Sequence, residues 1–196
     1  AHSQHPVDPR RIREIEHIGL FFKVRGPLNL RRTPQGWPLL TQQVGSAPEE
    51  AEFAARYAET VFTTHRDLET AATFAREVKT RAAAYGREPH LPLILPTLLP
   101  PGGSRFGSAE RIADVMQEWF EAGAADGFVV QPWTLPGGLT AFVNQVVPIL
   151  QRRGLFRTGY DKGTLRDRFH LPRPEDHFPI HEPLPLPDFA PSLAVA

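Results

Sequence analysis

The chain contains no cysteine, a single methionine and only three lysines among its 22 basic residues. Without a thiol it has no disulfide, no thiolate metal site and no cysteine nucleophile. That absence fits a cytoplasmic protein and is otherwise neutral on compartment. Acidic and basic residues balance at 22 each, so no net field steers the chain toward nucleic acid or an anionic membrane. The arginines are scattered and form no basic stripe. No apolar run approaches the roughly 20 residues that a membrane span needs. Residues 1–11 lack the apolar centre of a signal peptide, and the first residue is Ala rather than Met, as in a processed product or a fragment. No histidine stands at zincin-like spacing from a partner, and His2, His5, His177 and His181 lie in the two polar or Pro-rich ends, so no metal is expected. The stretch PPGGSRFG at 100–107 has a phosphate loop's glycines but not its Gly-Lys-Ser/Thr ending, and reads as a flexible connector.

Proline is abundant: 21 of 196 residues, about twice the usual 5% share, gathered in the loops and near the end of the chain. A chain of this length makes one domain burying roughly 70% of its unfolded surface. The boundaries expected are a loose leader at 1–14, a folded domain at 15–170 and a Pro-rich tail at 171–196, extended over the surface or disordered. Within the domain, Ile15–Val24 has strand character, and PLLTQQV (38–44) reads as a buried strand. A helix follows over about 48–58, then a short strand at Thr60–Thr63. Leu68, Ala71, Ala72, Ala75, Val78 and Ala82 recur at helical spacing between Asp67, a candidate N-cap, and Gly86, a natural stop. LPLILPTLL (91–99) reads as a strand weakened by Pro92 and Pro96. Ser108 caps a helix with an apolar stripe of Ile112, Val115, Met116, Trp119 and Phe120, ended by Gly123. DGFVVQP (126–132) is a fourth strand. A last amphipathic helix runs from Leu139 to Leu150, kinked or frayed by Pro148.

Four strand–helix alternations specify an α/β fold with a parallel sheet. The alternation fits both half of an eight-fold barrel and a small open sheet. As half of a barrel, the four strands would leave two open edges and an apolar inner face that must meet another copy, as in a homo-oligomer, or a complementing amino-terminal half.

The candidate binding turn is Gln43-Val44-Gly45-Ser46-Ala47, where a strand hands over to a helix. Backbone N–H groups at a helix start are unpaired and sit at the positive end of the helix dipole, which suits an anion. Ser46 either adds its hydroxyl to a phosphate contact or caps the helix. Pro48 suits the first helical position but brings no donor. Gln43, at a strand's carboxyl end, either serves the site or bonds a neighbouring loop. Asp126 reads as structural, Trp37 and Trp133 as packing rather than ring stacking. Arg152, Arg153, Arg157 and Arg166 are expected to pair with carboxylates and helix C-termini. No residue is assigned a catalytic role.

Several of these segments carry a resemblance. QGWPLLTQQVGSAPEEAEFAARYAETVFT resembles the segment QG-x-P-x-x-x-QAG-x-S-x-x-G-x-x-x-AA-x-x-A-D-x-x-F of the nitrilotriacetate monooxygenase component A and dibenzothiophene-sulfone monooxygenase family, a branch of the bacterial-luciferase-like flavoproteins. HIGLFFKVRGPLN, GSAERIADVMQEWFEAGAADGFVV and VVPILQRRGLFRTGYDKGTLRDRFHLPRP are similar to further blocks of that family, covering about residues 17–66 and 107–174. The resemblance implies a TIM barrel to which this chain supplies strands five to eight. It implies reduced FMN supplied by a flavin reductase, O₂ as co-substrate and a small organic substrate. It also implies a helical insertion between LPLILPTLL and GSAERIAD, which is missing here. It places Gly45, Ser46 and Ala47 at the FMN phosphate, but with Ala47 where the family has its contacting Ser and Glu50 where the family has Gly. Two functions follow as alternatives: part of a two-component monooxygenase, or a truncated remnant that folds or oligomerises and binds no flavin.

Overall fold

A computed structural model describes residues 14–27, 30, 32–98, 107–132 and 134–175. The leader, most of the 100–107 connector, Trp133 and most of the Pro-rich tail, with His177 and His181, lie outside the described residues.

The heart of the molecule is a parallel sheet in which each strand lies beside its sequence neighbour. The strands β3 (Thr41–Gln43), β4 (Thr60–Thr63), β5 (Leu93–Leu98) and β6 (Val129–Val130) stand in the order β3-β4-β5-β6. Three helices, α1 (Pro48–Tyr57), α2 (Leu68–Ala84) and α3 (Ala109–Glu121), make the crossovers. Sequential parallel strands with a helix between each pair are the repeating unit of a (β/α)8 barrel, present here four times. Ahead of the sheet, β1 (His17–Ile18) and β2 (Lys23–Val24) form a small antiparallel hairpin. The continuous strand expected at 15–24 is therefore broken. Gly19 donates its N–H to the Phe22 carbonyl at 2.8 Å and turns the chain. Leu20, Phe21 and Phe22 are left on the outside.

Val61 and Ile94 are register partners on β4 and β5, and both are buried beneath α1 and α2. The helix residues that meet them are Ala54, Ala55, Ala58, Ala75, Val78 and Ala82. Alanine favours helix and adds little bulk, so both helices lie close on the sheet. A second core gathers Leu98, Ala113, Met116, Val146, Ile149 and Leu150 beneath α3 and the last helical segment. The other face of the sheet is half-open. Phe62, Leu93, Leu95 and Thr97 are only partly buried there, while Thr41 and Thr60 share a hydroxyl–hydroxyl hydrogen bond of 2.8 Å.

Caps fall where the sequence places them. Asp67 accepts the Thr70 N–H, Ser108 accepts the Arg111 N–H, and Gly86 and Gly123 take the left-handed conformation after their helices. Three further elements differ from expectation. The strand expected as buried over 38–44 is an exposed three-residue edge strand, because β4 is its one neighbour in the sheet; only Val44 reaches the core. The fourth strand shrinks to Val129–Val130. Asp126 takes the Ile94 N–H with its carboxylate at 2.7 Å, and a Cβ on Gly127 would lie 2.8 Å from Leu95, so ladder pairing begins later. The last helix is three pieces: α4 (Gly137–Ala141), a π-helical turn at Phe142–Val146 and α5 (Val147–Arg152). Pro148 offers no N–H, and the helix widens just ahead of it, with Val147 reaching back five residues to the Phe142 carbonyl. A final turn, α6 (Leu165–Arg168), is closed by a Thr164–Asp167 capping box.

Candidate functional site

In a barrel of this kind the chemistry sits at the carboxyl ends of the strands. Four candidates named from the sequence, Gln43, Gly45, Ser46 and Ala47, follow one another there, at the junction of β3 and α1. Val44 anchors the turn by donating its N–H to the Phe62 carbonyl at 2.9 Å. Gln43 and Ser46 are exposed.

The helix start is not capped by Ser46. Ala47 is the N-cap residue, with extended backbone and no capping side chain, and Pro48 follows at the first helical position. Glu50 supplies what the serine does not. Its carboxylate accepts the Gly45 N–H at 2.7 Å, while its own N–H bonds the Ala47 carbonyl at 3.1 Å. Gly45 permits this approach, since a Cβ there would stand 3.2 Å from the Glu50 oxygen. The positive end of α1 thus already holds an anion, the protein's own carboxylate. A phosphate seated on Gly45 would meet that charge at hydrogen-bond range, and Ala47 would offer it no hydroxyl. The residues of this turn do not fit a flavin phosphate.

The sheet brings a second pair of groups to the same end. Thr63, the last residue of β4, is buried, and its hydroxyl finds no partner among the described residues. Two residues on, the Nδ1 of His65 is likewise buried and unpartnered among them. The His65 ring lies 4.8 Å from Phe74 of α2, and its burial lowers its pKa below 6.5 against a smaller opposing pull from Asp67. Neither residue stood out in the sequence. The signal available was position alone, a polar side chain at a barrel strand's carboxyl end.

The remaining candidates disperse. Asp126 is structural: its second oxygen takes Lys79 at 2.8 Å, alongside the Ile94 N–H already described. The four arginines near the end do not form one site. Arg153 pairs with Asp114 at 2.6 Å, Arg157 lies over the Phe156 and Tyr160 rings, and Arg166 is buried against Glu59 at the opposite end of the strands. Trp37 is 42% exposed, so it packs only in part. Among the described residues no cluster of His, Asp and Glu could hold a metal ion, and no helix is long and apolar enough to cross a membrane.

No family model matches the chain. Individual relatives do. The chain is 31% identical to N-acetyl-S-(2-succino)cysteine monooxygenase of Bacillus subtilis (strain 168), covering 87% of this chain and 58% of that protein. It is 32% identical to nitrilotriacetate monooxygenase component A of Aminobacter aminovorans, over 85% of this chain and 55% of that one. Among solved structures, EDTA monooxygenase from Chelativorans sp. BNC1 superposes with a TM-score of 0.73 at 26% identity, over 82% of this chain and 57% of that one. Over more than four fifths of its length the chain is similar to monooxygenases of the bacterial-luciferase-like family. It spans a little more than half the length of the relatives it matches, and the TIM-barrel reading holds for that part. The Bacillus subtilis alignment runs over 258 positions yet uses 87% of this chain's 196 residues, so on the order of 90 aligned positions have no counterpart in this chain. A long insertion present in relatives and missing here is what the family resemblance implies.

Proposed function

We propose that this chain is the carboxy-terminal part of a two-component monooxygenase that uses reduced FMN, supplied by a separate flavin reductase, and O₂ to oxygenate a small organic substrate in the cytoplasm. Its contribution is the second half of the barrel wall, and it works only with a complementing amino-terminal half. The observation that carries this reading is the four-strand, in-order parallel sheet in a chain 32% identical to nitrilotriacetate monooxygenase component A. An enclosed barrel keeps water from a flavin-bound oxygenation, and four strands cannot enclose anything. The flavin supplies the oxygen chemistry when bound, and residues of this chain outside the self-occupied turn at Gly45 would line one side of its site.

The bond between Glu50 and Gly45 favours a second reading, a remnant that folds or oligomerises and binds no flavin. The two separate by titrating FMN and following flavin fluorescence. The chain alone should leave the fluorescence unchanged, because its phosphate turn is self-occupied. Adding the amino-terminal half of nitrilotriacetate monooxygenase component A should produce quenching, and Glu50→Gly with Ala47→Ser should tighten it by about tenfold, one restored phosphate contact. No quenching with both halves and both substitutions would leave the remnant reading standing.

A further inference from the structure

On the far side of α1 and α2 from the sheet lies a surface that the barrel does not use. Glu49, Glu52, Phe53 and Arg56 follow one another at i, i+3, i+4 and i+7 of α1 and form a single stripe. The stripe borders an open groove of about 470 Å³ between α1 and α2 that Tyr57, Arg81 and Tyr85 also line. Phe53, Tyr57 and Tyr85 are each about half exposed, at 54%, 49% and 46%. Three aromatic rings and two arginines on one open patch are the residue types that carry interface energy.

The patch is also held in place before any partner arrives. The Tyr85 hydroxyl donates to Glu52, which Arg81 also reaches at 3.5 Å. The Arg56 guanidinium lies 5.1 Å from the Tyr57 ring centre and 5.6 Å from that of Tyr85. Phe53 and Tyr57 pack ring to ring at 4.9 Å. Side chains fixed in this way lose little freedom on binding.

Charge decides what fits. Along the stripe the sign runs from acidic, Glu49 and Glu52, to basic, Arg56. A second α1 laid parallel would set like charges side by side. Laid antiparallel, with a two-fold axis beside Glu52 and Phe53, it sets Glu49 of each helix opposite Arg56 of the other, twice over. It also opposes the two helix dipoles and lets each Phe53 enter the other copy's groove. We infer that the outer face of α1 is a self-complementary docking surface on which a second copy of this chain binds through an antiparallel α1–α1 contact centred on Phe53. This interface lies on the opposite side of the sheet from the half-open inner face, so it is independent of whether a complementing half-barrel exists.

The test is sedimentation velocity of the full chain from about 1 to 200 µM, the range in which a modest interface populates its dimer. The wild type should show a monomer–dimer equilibrium. Phe53→Ala should abolish the dimer across that range. Arg56→Glu turns two attractions into two repulsions and should raise the dissociation constant at least about tenfold. Adding Glu49→Arg to Arg56→Glu reverses the stripe and should restore the dimer. All three positions are exposed surface, and circular dichroism confirms that each variant folds. A monomer at every concentration, an assembly indifferent to Phe53→Ala and Arg56→Glu, or a double variant no better than Arg56→Glu alone would each overturn the proposal.

Discussion

The two ends of the parallel strands are built by opposite rules. At the amino ends nearly every polar group in reach has a partner. Arg166, 2% exposed, presents both terminal nitrogens to Glu59 at 2.8 and 2.5 Å, and its Nε and one terminal nitrogen also donate to the Pro172 carbonyl. Glu59 also takes the Leu40 N–H at 2.9 Å. Beside them the Arg87 guanidinium bonds the Ala55 and Ala58 carbonyls at the end of α1 and shares the Ala54 carbonyl with the Ala58 N–H. At the carboxyl ends, Thr63 and His65 keep buried atoms without partners among the described residues, and Glu50 fills a turn suited to an external anion. One end spends its polar groups on holding the chain together. The other holds the kind of unfinished groups that a ligand or a missing segment would complete.

Cutting the paired end should therefore have the largest effect. The Glu59–Arg166 pair joins the start of β4 to α6 across 107 residues of sequence. Glu59→Gln leaves a buried guanidinium without its counter-charge, and removing one partner of a buried pair costs about 3–5 kcal/mol. Urea unfolding followed by circular dichroism should show a midpoint far below wild type. The double variant Glu59→Leu with Arg166→Met removes both charges and should recover much of the loss. A single variant within about 0.5 kcal/mol of wild type would mean that the amino end is not the clamp its geometry describes.

This contrast also sorts what was legible in the sequence. The helices were, because Ala71, Ala75, Val78 and Ala82 declare a buried face by spacing alone, and Asp67, Ser108, Gly86 and Gly123 mark ends by local chemistry. The strand order followed from alternation together with the family blocks. The clamp was half visible: Arg166 was expected to find a carboxylate, but nothing local to Arg166 points to Glu59, since their meeting is a product of the fold. Ser46 misled for a related reason. A serine before a helix commonly caps it, but here Pro48 sets the helical frame one residue later, and Ala47 takes the cap position. Glu50, which the family resemblance implies lies near the phosphate, closes the turn in three dimensions by accepting the Gly45 N–H. His65 could be found only once β4 had placed it.

The unfinished end should reveal itself through pH. Burial lowers the His65 pKa in the folded chain below its ordinary 6.5, so the unfolded chain takes the proton first. Stability then falls as pH drops through 6.5, and the loss levels off below the folded-state value. His65→Leu should flatten the difference in urea midpoint between pH 7.5 and pH 5.5, and the wild-type His65 resonance should titrate below 6.5. Asp67 and Asp167, both with pKa lowered by bonds to Thr70 and Thr164, add a separate loss only at much lower pH, as each carboxylate protonates below 3.8. An unchanged pH dependence in the His65 variant would place that ring in water.

Thr63 offers the smallest effect and the cleanest sign. Its register partner on β5 is Pro96, which has no N–H, so the neighbouring strand brings no donor where the buried hydroxyl sits. Replacing a satisfied buried hydroxyl by a methyl destabilises, whereas replacing an unsatisfied one removes a desolvation cost of about 1–3 kcal/mol while keeping the shape. Thr63→Val should therefore match or exceed wild type in urea, against the usual direction for a core substitution. At the paired end, Thr60→Val should lose about 1 kcal/mol, because the Thr60 hydroxyl is bonded to Thr41 at 2.8 Å. The two substitutions are chemically identical and three residues apart on one strand, so their difference in sign measures the contrast between the ends directly. Equal losses at both positions would show that the Thr63 hydroxyl has a partner after all, and that β4 is finished at both ends.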